Sequence, residues 1–129
     1  MVATVQATSD AKETPRLISS AKVAGRRVEN AKRDSLGSIE DVMIDKINGK
    51  VAYAVLKYGS FLGMGGKLFA LPWDVLKYDA ERDAYLINIP EERLKNAPSF
   101  DEKAWPDLSD RAYGKQVYDY YGTRGDWYM

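Results

Sequence analysis

The chain of 129 residues contains no cysteine and no histidine. The first absence excludes disulfides, thiolate metal ligands and a cysteine nucleophile, and it leaves the redox compartment unreadable. The second removes the commonest transition-metal ligand and the commonest general base near neutral pH. Tight transition-metal binding is therefore not expected, although carboxylates alone can hold calcium or magnesium weakly. No apolar run approaches the ~18–20 residues that span a bilayer. The opening MVATVQATSDAKETPRL lacks the basic start and apolar centre of a signal peptide. Net charge is missing as well. Lys plus Arg and Asp plus Glu both number 19, so nothing pulls the whole molecule towards nucleic acid or membrane. These absences leave a soluble cytoplasmic domain as the expectation, with no catalytic, cofactor-binding or metal site. A chain this long can bury roughly two-thirds of its unfolded surface in one core.

What charge there is divides unevenly. Residues 1–33 carry seven basic and three acidic side chains, a net of +4, while residues 34–90 and 91–129 each carry six and eight, a net of −2. The basic excess gathers at Lys22, Arg26, Arg27, Lys32 and Arg33. That cluster is the candidate contact for RNA or a ribosomal surface. No aromatic residues interleave with it to stack on bases, so a solvated strand and loop is the simpler reading.

From Arg16 to Pro90 the pattern is one of strands. Asn48-Gly49 in SIEDVMIDKINGKVAYAVLKY is a strong two-residue hairpin signal, because a type I′ turn needs positive φ at both positions. Folding about it places Ile44 opposite Tyr53, Val42 opposite Val55 and Glu40 opposite Lys57. The other face pairs Met43 with Ala54, Asp41 with Leu56 and Ile39 with Tyr58. Both faces then carry apolar residues, as expected where a sheet curls or is covered on its second side. KVAGRRVEN reads as a short strand and DSLGS as a turn around Gly37. KLFALPW is a strand ending at Pro72, and DVLKYD and AYLINI are two more across the loop DAERD. PEERLKN starts one helical turn. Asp79, Glu81 and Asp83 mimic half of a calcium loop, but Ala84 and Pro90 stand where its Gly and Glu belong. Asp41 and Asp45 form a possible carboxylate pair, with no nucleophile or imidazole to make it an acid–base site.

GSFLGMGGKLFALPW holds four of the ten glycines. A phosphate loop ending at Gly66-Lys67 would need glycine at Phe61 and a hydroxyl at Leu68, and both fail. The dinucleotide pattern starting at Gly63 and Gly65 fails at Leu68. The segment is therefore expected to join two strands, with Phe61, Leu62 and Met64 as partner contacts at its tip.

Taken in series, Gly25-Arg26, Leu36-Gly37-x-Ile39, Asp41-Val42-x-Ile44-Asp45, Gly49-x-Val51-x-Tyr53-Ala54-Val55, Gly59…Gly63-x-Gly65 and Ala70-Leu71-Pro72-Trp73 resemble the PRC-barrel family over residues 17–95. That barrel occurs in the cytoplasmic part of the H subunit of purple bacterial photosynthetic reaction centres and in the C-terminal half of a ribosome-maturation factor. The chain is most similar to small stand-alone bacterial members. No segment matches the H subunit's membrane helix, and only about 16 residues precede the barrel, too few for the maturation factor's first domain. The resemblance implies a mainly β fold, a small barrel of about six strands with a C-terminal helix. It also implies a non-catalytic protein-interaction module, with another protein or a second copy of itself as partner. An RNA- or ribosome-associated factor is the alternative.

The expected organisation is a disordered segment 1–16, a barrel 17–95, and a linker with an aromatic-rich helix over 96–129. Seven of the fifteen aromatics fall in residues 105–129. PDLSDRAYGKQVYDYYG predicts a helix capped by Asp107 or Ser109 and stopped at Gly122. Its stripe is Ala112 or Tyr113, Val117, and Tyr120 or Tyr121. Gly114 weakens that helix by roughly 1 kcal/mol relative to Ala. Trp105, Tyr113, Val117, Tyr120, Tyr121 and Trp127 are the interaction candidates here, packing on the barrel or reaching a second chain.

Overall fold

A computed structural model of the chain describes residues 12–59 and 67–124. They form one seven-stranded sheet: β1 Arg27–Glu29, β2 Ser35–Ile44, β3 Val51–Tyr58, β4 Lys67–Pro72, β5 Leu76–Asp79, β6 Ala84–Ile87 and β7 Phe100–Asp101. Three helices accompany it: α1 Ser20–Val23, α2 Glu91–Lys95 and α3 Arg111–Tyr121. The strand order is β5-β6-β1-β2-β3-β4-β7, antiparallel except where β1 runs parallel to β6.

The connections force this sheet to roll up. In that order β4 and β5 stand five places apart, about 24 Å in a flat sheet at ~4.8 Å per strand. The link from Pro72 to Leu76 is the single 3-10 turn Trp73–Val75, four Cα steps that reach at most about 14 Å. Only a curled sheet brings the two strands within that reach. The edges β5 and β7 do not pair with one another, so the barrel is open.

Curling makes an inside. Val28, Leu36, Ile39, Ala54, Leu56, Phe69, Leu71, Leu76, Tyr85 and Ile87 fill it, with Leu94 and Ala97 from the α2 region and Val23 from α1. The opposite face of β3 and β4 is covered too. Tyr53 and Ala70 join Ala52, Leu108, Val117 and Tyr118 in a second cluster beneath α3. This is why β3 reads as apolar on both faces.

The β2–β3 register differs from the expected one. Met43, not Ile44, lies opposite Tyr53, and Ile44 lies opposite Val51. Bulges fall between Ile39 and Asp41 and between Met43 and Ile44. The side-chain period of two turns this one-residue slip into a change of face. Its cause is Asp45. Its carboxylate accepts the N–H groups of Ile47 (2.7 Å) and Asn48 (3.1 Å), and the Asn48 side chain accepts the N–H of Lys50 (2.8 Å). The turn is thereby widened to Lys46–Gly49, closed by Asp45 N–H donating to the Lys50 carbonyl. Gly49 takes φ 77°, but Asn48 is not left-handed, so no type I′ turn forms.

Two local expectations also change. Lys22 and Val23 belong to the one-turn helix α1, not to a strand. Gly37 lies inside β2, and the real turn is Asn30–Asp34, where the Asn30 side chain accepts the N–H groups of Lys32 and Asp34.

Candidate interaction surface

The aromatic tail turns inward. Asp110, not Asp107 or Ser109, caps α3, its carboxylate accepting the Tyr113 N–H at 3.0 Å. Asp107 instead closes a local turn by accepting from the Ser109 N–H and hydroxyl. Gly122 ends the helix in the left-handed conformation, as expected. Val117 and Tyr118 are its buried residues. Tyr118, absent from the expected stripe, donates its hydroxyl to the Ala52 carbonyl at 2.6 Å and meets Tyr53 edge-on at 5.7 Å. Tyr113, Tyr120 and Tyr121 are half-buried, and Ala112 is exposed. Burial pushes the phenols of Tyr113 and Tyr121 above their ordinary range. Tyr120 is clasped to α2. Its hydroxyl donates to the Arg93 carbonyl at 2.5 Å, the Arg93 guanidinium lies 4.4 Å over its ring, and Arg93 donates to the Tyr120 carbonyl. Trp105 packs on Phe100 at 5.1 Å yet keeps 39% exposure. Trp127 lies outside the described residues.

The basic cluster is largely neutralised by its own chain. Arg26 bridges Glu13 (2.9 Å) and Asp83, Arg33 meets Asp79 at 3.0 Å, and Arg27 meets Glu29 at 2.7 Å. Glu29 is buried, and it also accepts two hydrogen bonds from Arg82 at 2.7 and 3.0 Å. Those bonds, with the Arg27 bond and against the effect of burial, hold its carboxyl at about 2. Lys32 is exposed, and Lys22 is half-buried in α1. A phosphate would have to compete with these carboxylates for three of the five cations.

The glycine-rich segment joins β3 to β4, with Tyr58 opposite Lys67 where the two strands enter it. No helix follows, so the failed phosphate motifs and the topology agree. Phe61, Leu62 and Met64 lie outside the described residues. The acidic candidates serve locally. Asp41 accepts the Val42 N–H, Asp45 shapes its hairpin, and Asp79 accepts the Glu81 N–H. Among the described residues no three carboxylates gather as a cation site.

One apolar feature escaped the sequence reading. Met43, Ile44, Ile47, Ala52, Tyr53 and Leu108 line a groove of about 270 Å³, with Asp45, Lys46 and Ser109. Ile47 is 97% exposed and Ile44 45% exposed. Asp45 places Ile47 at the hairpin tip by holding its N–H, and the register slip places Ile44 outward. The signal was present: an isoleucine between Lys46 and Asn48, inside a turn whose other positions are polar.

The described residues form an open, barrel-like sheet accompanied by short helices. A family model for the PRC-barrel domain matches residues 15–94, and the chain belongs to the PRC-barrel family. No curated protein matches it. Domains of this family are generally non-catalytic and often mediate protein interactions. Helix α3 lies beyond the matched segment. Among the described residues no helix is long and apolar enough to cross a membrane.

Proposed function

We propose that the protein is a non-catalytic docking module whose β2–β3 hairpin groove receives an apolar side chain of another protein. The exposure of Ile47 beside that groove carries the reading. Burying one such side chain supplies about 1.5–3 kcal/mol, and the solvated tip of a hairpin gains none of it in the isolated chain. The groove floor continues into the cluster beneath α3, so a partner would extend an existing apolar surface. The functional unit in this reading is the barrel of residues 17–95, with 96–129 as a cap that walls the groove through Leu108. The engaged arginines favour protein over RNA as the partner.

A photo-crosslinking residue at Ile47, with a control at exposed Lys77 on β5, tests the assignment in native lysate. The expected product is a protein adduct at position 47 that is absent at 77 and lost on Ile44→Asp. Its mass separates a second copy from a different protein. Equal labelling at both positions, or transfer to nucleic acid, overturns the reading.

A further inference from the structure

A second recess shares no lining residue with the groove. Trp73, Leu76, Tyr78 and Tyr85 form its sheet side, and the segment 13–18 crosses it. Its volume is about 250 Å³, the space of roughly eight waters at ~30 Å³ each. Trp73 and Tyr78 both lie against Tyr85, with ring centroids 5.6 and 5.4 Å apart and planes inclined by 61° and 56°. Rings so inclined form angled walls, and each carries a negative π face.

Two carboxylates stand beside the rings. Glu13 lines the recess, and Tyr78 donates its hydroxyl to Asp83 at 2.6 Å. These two carboxylates share one cation, Arg26, whose side chain is only 18% exposed. The trio keeps a net charge of −1. This corner of the barrel therefore already holds one largely desolvated cation and retains negative charge beside the rings. Arg16 also lines the recess and is exposed, as Glu13 and Asp83 are.

We propose that this recess binds a methylated ammonium group on a short alkyl stem. Aromatic walls attract cations, and they do so best when the cation gives up little hydration. An unmodified lysine ammonium is strongly hydrated and would need hydrogen-bond acceptors in numbers that three rings and one carboxylate do not supply. An anion meets negative ring faces and Glu13, with only the exposed Arg16 to pair with. A methylated ammonium meets neither obstacle.

The test is an NMR titration of the full chain with choline and with 3,3-dimethylbutanol, its neutral isostere. Saturable shifts are expected at the Trp73 indole and the Tyr78 ring, with choline about 3- to 30-fold tighter than the isostere. Tyr78 is 42% exposed, so Tyr78→Ala leaves the fold intact and is expected to abolish the shifts, while Tyr78→Phe retains them. Peptides with and without trimethyl-lysine separate a protein-borne ligand from a free one. Equal affinity for choline and its isostere, no saturable shift with any methylated probe, or indifference to Tyr78→Ala overturns the proposal. Ile47→Asp leaves choline binding unchanged if the two surfaces are independent, so failure of the groove does not touch this site.

Discussion

Gly114 lies inside α3, where alanine would ordinarily add up to about 1 kcal/mol of helix stability. Here the sign should reverse. A Cβ at Gly114 would stand 2.9 Å from the Tyr53 hydroxyl oxygen. That oxygen ends a side chain that is 1% exposed and packed edge-on against Tyr118, so it has little room to retreat. Overpacking of this kind costs about 1–3 kcal/mol. Set against the helix gain, Gly114→Ala should be destabilising by about 0–2 kcal/mol. At some 3–5 °C per kcal/mol for a chain of this size, Tm should fall by up to about 10 °C. The sharper form is a double-mutant cycle with Tyr53→Phe, which deletes the contacting oxygen. In that background Gly114→Ala should stabilise, giving a coupling of about 1–3 kcal/mol. Thermal and urea unfolding followed by circular dichroism on the four proteins reads both quantities. If Gly114→Ala raises Tm in the native background, or has the same effect in both, the close approach of α3 to Tyr53 is refuted.

At Gly37 the obstacle is backbone. With φ 141° and a Cβ placed 2.0 Å from the Lys57 carbonyl oxygen, Gly37→Ala should cost more than about 4 kcal/mol and abolish the native far-UV spectrum. Gly25→Ala, left-handed but with open space around it, should cost only about 1–2 kcal/mol. Tyr118→Phe removes the buried hydroxyl bond to the Ala52 carbonyl and should lower stability by about 0.5–1.5 kcal/mol in urea titrations. Glu29 titrates at about 2 in the folded chain against an ordinary 4.5, chiefly because Arg82 hydrogen-bonds its carboxylate. Its contribution is complete above about 4.5 and is lost as pH falls from there towards 2. Glu29→Gln should therefore flatten the Tm-against-pH curve across that window, and an unchanged acid limb would show that the Arg27–Glu29–Arg82 group is not coupled to folding.

The strands were legible because their apolar residues alternate between turn signals, and Pro72 ends β4 where a missing N–H predicts it should. The hairpin register was not. Asn-Gly proposes a two-residue turn, but the Asp45 carboxylate outbids it from three residues away by satisfying two N–H groups at once. Gly37 misled for a related reason. Its glycine reads as a turn, yet the constraint is the approach of the Lys57 backbone from a neighbouring strand, which no local window contains. The α3 cap slipped from Asp107 to Asp110 because three candidate residues stand within four positions, and packing decides among them. The short β7 carried no pattern at all, since two residues cannot display a period.

Helical spacing found Val117 on the packed face of α3 but missed Tyr118, and it said nothing of what that face meets. Its aromatics could have awaited a partner. Instead Val117 and Tyr118 fill the space above Tyr53 and Ala70, so the outer surface of β3 and β4 is already covered by the chain itself. That changes where a partner surface has to be sought. A covered sheet face offers little apolar area, and α3 leaves its other tyrosines half-buried. Several large apolar side chains remain open to solvent. Among the largest of them are Ile44 and Ile47 at the hairpin tip and Trp105 at the approach to Leu108. The turn that defeated the register reading is the same turn that holds Ile47 outward, so one carboxylate, Asp45, determines both the error and the candidate surface.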